Sequence, residues 1–173
     1  MKKIIGSVMV AGLVASTAFG AMLNQGTREL GVFANIDRDS LDAKVSFGQF
    51  IMDGLIIGAG ISGGWQDADS VDAATYGASA YAQYHFDIGS PLVPFVGAAA
   101  GVQYSKIDID GLGSDSETGL MGEAQLGAKA FIANNIAITM YGFFDFSNEE
   151  IYSNKGELEK TDFGLRVGMN SYF

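Results

Sequence analysis

The chain has 173 residues, no cysteine, and 20 acidic against 10 basic residues, a formal charge of −10 at pH 7. That length suits one domain. The absence of cysteine excludes disulfides and a lipidated-cysteine anchor, and the shortage of Lys and Arg excludes nucleic acid as a partner, since phosphates need clustered cations.

Taken from the N-terminus, Lys2 and Lys3 precede an apolar run from Ile4 to Val14, and Ala18 and Gly20 supply small residues before Ala21. This three-part plan predicts a secretory signal peptide over 1–20. The run is shorter than the roughly 20 apolar residues of a helical span. Residues 21–173 are then the folded domain, and losing two lysines raises its acid excess to twelve.

From there the sequence alternates with the two-residue period of a strand. Leu55-Ile57-Ala59-Ile61-Gly63-Trp65 forms one face of a segment whose other face is Ile56-Gly58-Gly60-Ser62-Gly64-Gln66. Residues 75–86 and 119–132 repeat the pattern. Phe163-Leu165-Val167-Met169-Ser171-Phe173 does so against Asp162-Gly164-Arg166-Gly168-Asn170-Tyr172. A helical period would put glycines and charges into the apolar stripe. Eight strands are predicted, at about 28–36, 44–51, 55–66, 75–86, 94–105, 119–132, 136–147 and 161–173. In the second, both faces are mixed.

The connections alternate in kind. Met52-Asp53-Gly54, Asp87 to Val93 and Ala133-Asn134-Asn135 are short. The others are polar, the last two are long, and together they hold 14 of the 20 acids. These are Asp37, Asp39 and Asp42; Asp67, Asp69 and Asp72; Asp108, Asp110, Asp115 and Glu117; and Glu149, Glu150, Glu157 and Glu159.

A soluble barrel would turn a Lys- and Glu-rich face to water. Here the polar face is glycine-rich with few charges. The other face carries an aliphatic band with Trp65, Tyr76, Tyr104, Phe144, Phe146 and Phe163 at one end and Tyr84, Phe86 and Phe173 at the other. Rings of this kind favour the headgroup level of a bilayer, and closing the sheet satisfies every backbone group in lipid. The predicted fold is all-β: a closed, eight-stranded, antiparallel up-and-down transmembrane β-barrel. Its expected location is the outer membrane of a Gram-negative bacterium, with both termini periplasmic.

The signal, the alternating strands and the terminal Phe173 resemble the small outer-membrane β-barrel family, which includes outer membrane protein X and the transmembrane domain of outer membrane protein A. The resemblance covers the whole mature chain. It implies membrane lipid and lipopolysaccharide as neighbours, and Phe173 as the residue read by the outer-membrane assembly machinery. Tyr172 falls on the inward register, and Ser171 stands where many members place an outward aromatic.

Three motifs suggest chemistry. Gly58-Ala59-Gly60-Ile61-Ser62-Gly63 matches a dinucleotide fingerprint, but a helix should open there, and Gly64-Trp65-Gln66-Asp67 reads as strand end and loop. Narrow interior space explains these glycines better. Asp108-Ile109-Asp110-Gly111 matches part of a calcium loop but lacks the third acid and the closing Glu. A barrel enzyme acting on lipid would need a Ser–His pair. His85 is the sole histidine and falls inward at the short-turn end without an adjacent activated serine. No cofactor, no metal and no catalysis are expected.

More informative are Glu29, Lys44, Glu123, Lys129, Asp145, Asp162 and Arg166, which all fall on the inward register. Eight strands enclose a space that side chains nearly fill, so these charges should pair and plug the lumen. If the turn near Asn134 pairs Ile132 with Ile136, Glu123 lies opposite Asp145, and Arg166 is the cation expected to clamp both. The expected role is structural or in surface interaction, with acidic loops outward. A narrow ion-conducting pore is the alternative, and a lipid-modifying enzyme ranks below both.

Overall fold

A computed structural model describes residues 23–36, 40–68, 71–109, 113–154 and 157–173. The expected signal peptide and the loop acids Asp37, Asp39, Asp69 and Asp110 lie outside them. The strands are β1 (Arg28–Ile36), β2 (Ser40–Met52), β3 (Leu55–Ala68), β4 (Val71–His85), β5 (Leu92–Ile109), β6 (Gly113–Ala133), β7 (Ile136–Ser147), β8 (Tyr152–Asn154), β9 (Glu157–Glu159) and β10 (Thr161–Tyr172). Eight of them close an antiparallel barrel in the cyclic order β1-β10-β7-β6-β5-β4-β3-β2, while β8 and β9 pair only with each other. Paired main-chain bonds between Arg28 and Phe173 (2.8 and 3.0 Å) extend the β1–β10 closure.

Alternation sets the two faces. Leu30, Val32, Phe47, Ile57, Ile61, Val102, Leu126, Met140, Leu165 and Val167 are exposed on the outside. So are all nine aromatic residues assigned to the two girdles. In β2, the mixed pattern resolves into Lys44, Ser46, Gly48 and Phe50 inward and Val45, Phe47, Gln49 and Ile51 outward. Large apolar residues pointing away from the interior on all eight barrel strands make sense only against hydrocarbon.

Three details differ from the sequence-based expectation. The strands run farther toward the long connections: β5 and β6 continue their ladder to Ile109↔Gly113, and β3 and β4 to Ala68↔Val71. Asp72, Asp108, Asp115 and Glu117, expected in loops, therefore have strand backbone. Beyond the bilayer both faces of a hairpin meet water, so pairing continues while the apolar period that reveals it disappears. The last long connection is not plain loop, since it contains the β8–β9 hairpin. At the turn after β6, Phe131 pairs with Ala137 but Ala133, rather than Ile132, pairs with Ile136. Ile132 is the bulged residue, and the turn shrinks to Asn134-Asn135.

Glycine matters at two places. Gly54 turns β2 into β3 at φ +77°, and its carbonyl accepts the His85 amide at 2.7 Å. Gly48 and Gly58 make room for Tyr81: a Cβ on them would stand 2.5 Å from its hydroxyl and 2.6 Å from Cζ.

Candidate functional site

The lumen is where polar chemistry collects, because within the bilayer the other face of these strands is turned to lipid. Toward the long-connection end, Glu123 of β6 and Asp145 of β7 are cross-strand partners. Arg166 of β10 donates through Nη1 to Glu123 and through Nη2 to Asp145, the latter at 3.3 Å. Lys44 of β2 donates to Glu123 at 3.1 Å. Since β2 lies four strands from β6 either way round, this bond crosses the lumen. Gln125 also donates to Glu123, and Gln83 of β4 donates to Gln125 at 2.7 Å. Two carboxylates and two cations thus balance in one layer.

An aromatic layer follows. The Arg166 guanidinium lies 3.8 Å from the Phe143 ring centroid. Tyr141 meets Phe33 edge-on at 5.5 Å and Phe95 at 6.0 Å, a file of rings from β1 to β5. These strands also stand four apart in the cycle. Thr139 donates to Asn170 at 2.5 Å. Beneath, Lys129 donates to Glu29, with its ammonium 5.5 Å from the Phe95 ring and 5.8 Å from the Tyr172 ring. Phe50, Ile56, Tyr81, Val93, Phe131, Ala137 and Tyr172 then form an apolar floor.

Chain segments close both ends. Leu23 is buried in the apolar floor, and its carbonyl accepts the Gly54 amide at 2.9 Å. At the other mouth Ile151 is 0% exposed, and the Ser105 hydroxyl donates to its carbonyl at 2.9 Å. The neighbouring Tyr152 hydroxyl is buried in the fields of Asp145, Asp162 and Glu123. Burial first, and then these carboxylates, push its phenol well above the usual range, with Arg166 opposing.

Of the residues singled out in the sequence, the structure brings together Glu123, Asp145 and Arg166, and places Lys129 in a separate pair with Glu29. Asp162 shares the inward register and stands opposite Asp145 at the start of β10, where its charge acts on Asp145; it is exposed at the mouth, and its Oδ1 accepts the Phe163 amide at 2.8 Å. Phe173 is outward and exposed, its ring 6.4 Å from that of Phe47.

His85 is 2% exposed between the rings of Phe50 and Phe95, both at 5.4 Å, with Nδ1 3.1 Å from the Gly54 carbonyl. That is a packed interior position. The glycines at 58, 60 and 63 sit inside β3, which runs on as strand to Ala68, so the helix N-terminus that a pyrophosphate needs is not formed there.

Sequence reasoning missed the amides Gln83 and Gln125, the corking Leu23 and the capping Ile151. Ile151-Tyr152 is an adjacent pair of large apolar residues in a connection otherwise polar apart from Leu158, and that was its available signal.

A closed eight-stranded barrel with an apolar belt outside and paired charges inside defines an integral outer-membrane barrel protein. The family model for the outer membrane protein beta-barrel domain matches residues 11–170, and the chain belongs to that family. Among solved structures it is similar to Neisserial surface protein A (NspA), with 17% identity, TM-score 0.63, and coverage of 85% of this chain and 95% of that one. The N-terminal barrel of Pseudomonas aeruginosa OprF gives 19%, 0.58, 86% and 98%. Ail, the attachment invasion locus protein of Yersinia pestis, gives 13%, 0.57, 87% and 99%. These identities establish a shared fold. Comparison with curated proteins returned no significant match.

Proposed function

We propose that this protein is a sealed outer-membrane barrel whose work is structural or done at the cell surface, rather than a conduit or an enzyme. The observation that carries this reading is the filled lumen. From Leu23 through the Glu29–Lys129 pair, the ring file and the Arg166 layer to Ile151, each level is occupied by packed side chains. A pore of this size would need a continuous wet path. Its paired charges make it the natural rival, but the layers here also include apolar ones.

In this reading the acidic connections face outward beside lipopolysaccharide, whose anionic groups share divalent ions with them. The short turns and both termini face the periplasm, and Phe173 is the group recognised during assembly. The sole histidine is a packing residue, which supports a non-enzymatic role. Orientation is tested by a charged, membrane-impermeant maleimide on intact cells carrying Glu117→Cys or Asn134→Cys. Both residues are exposed, at opposite ends of the barrel. Glu117→Cys should label at once and Asn134→Cys only after the outer membrane is permeabilised. The reverse order would invert the topology.

A further inference from the structure

The connection between β7 and β10 does not simply cross the mouth. Its root is fixed: the Asn148 amide donates to Leu120 O at 3.2 Å, Asn148 Oδ1 accepts the Leu120 amide at 2.8 Å, and Lys160 Nζ donates to Asn148 O at 3.1 Å. Ser147 adds a bond to Leu120 O at 3.0 Å, and its amide donates to Lys160 O at 2.8 Å. Three residues on, the tip is held differently. Ile151 drops into a notch that exists because residue 119 is glycine. A Cβ there would stand 3.1 Å from Ile151 Cγ2 and 2.8 Å from Ser147 Oγ. Tyr152 opens the β8–β9 hairpin opposite Glu159, and among the described residues the tip's tie to the barrel wall is the neutral bond from Ser105 on β5 to the Ile151 carbonyl. Beside it Tyr152 is 7% exposed, and its hydroxyl has no hydrogen-bond partner among the described residues. The wall below it offers another such atom, Asp145 Oδ1.

A pinned root and a lightly tied tip are the arrangement of a movable arm. Local opening takes least free energy where few buried contacts and few hydrogen bonds must break together. A buried hydroxyl and a buried carboxylate oxygen without partners both gain hydrogen bonds when water reaches them, which offsets part of the loss of Ile151 burial. We propose that residues 149–152 form a lid on the long-connection mouth, latched by Ile151 in the Gly119 notch and by Ser105, which opens to admit solvent to the Tyr152 hydroxyl and Asp145 Oδ1 at the top of the Arg166 layer. The layers beneath stay shut when it lifts, so the lid works on the mouth alone and is independent of whether the lumen conducts.

The chain has no native cysteine, so single cysteines report without background. The test compares labelling rates of Ile151→Cys, Tyr152→Cys and the exposed Glu150→Cys by a charged maleimide, in refolded protein that keeps its heat-modifiable mobility. Cysteine at 151 shortens the latch, so Tyr152→Cys is the main reporter. It should label roughly tenfold or more slowly than Glu150→Cys, and adding Ser105→Ala or Gly119→Ala should recover most of that difference. Equal rates at 150 and 152 would show that no lid closes the mouth. A slow Tyr152→Cys that neither second change accelerates would show that the segment is fixed wall and overturn the proposal.

Discussion

Arg166 is the residue on which the outer half of the lumen turns, and its replacement by leucine can be followed quantitatively. Its side chain is 15% exposed, and those of Glu123 and Asp145 are 0% and 3%. Removing the guanidinium leaves the two acids in unequal positions. Glu123 keeps Lys44 at 3.1 Å and the amide of Gln125, whereas Arg166 is the cation that faces Asp145. Stranding a buried charge costs about 3–5 kcal/mol, so Arg166→Leu should lower stability by about that much, most of it from Asp145. Adding Asp145→Asn should return roughly half or more, because an amide needs only hydrogen bonds. Adding Glu123→Gln as well should not help further, because it takes the partner from Lys44, itself 8% exposed. The assay is urea unfolding in lipid vesicles followed by Trp65, the sole tryptophan, which is exposed on the lipid face. The expected order is native, Arg166→Leu with Asp145→Asn, the triple variant, then Arg166→Leu alone. A single variant within about 1 kcal/mol of native, as for a solvated surface pair, or no recovery with Asp145→Asn, would refute the clamp.

Ala80 is outward and exposed, paired with Ala59 and Ala100. Ala80→Arg should therefore cost about 2–4 kcal/mol in vesicle refolding. A loop change such as Glu149→Arg should be near neutral, and equal costs would contradict the assigned faces. Phe173→Ser should lower the yield of heat-modifiable barrel in cells while leaving refolding of purified protein into vesicles almost unchanged. A loss in both would make Phe173 a packing residue rather than an assembly signal. Tyr152 binds its proton more tightly in the closed state than in water, so closure is fully favoured below the ordinary phenol value of 10.0 and weakens as pH rises beyond it. The labelling ratio of Ile151→Cys to Glu150→Cys should rise above that pH, and Tyr152→Phe should abolish the rise.

Much of this architecture was legible because a membrane barrel writes both faces of every strand into its sequence. The alternation around Ala59, Ala80 and Leu165 names the lipid face, and a short turn at Asn134-Asn135 fixes Glu123 opposite Asp145 even though Ile132 bulges. Contacts that cross the lumen between opposite strands were not legible. The Lys44–Glu123 bond depends on how the closed sheet brings β2 across from β6, a property of closure that no local pattern contains. Nor did periodicity reveal the outer reaches of β5 and β6, where both faces are wet. Leu23 and Ile151 lie outside the barrel strands, so their burial follows from the mouths they fill rather than from any period.

The sealed lumen is the centre of the account, and a planar-bilayer recording of the refolded, heat-modifiable protein tests it most directly. The layers from Leu23 to Ile151 predict a flat baseline, with no stepwise conductance from the native chain or from Ser105→Ala, since opening the lid leaves the Arg166 layer closed. Regular, reproducible open-channel steps from the native protein would contradict it.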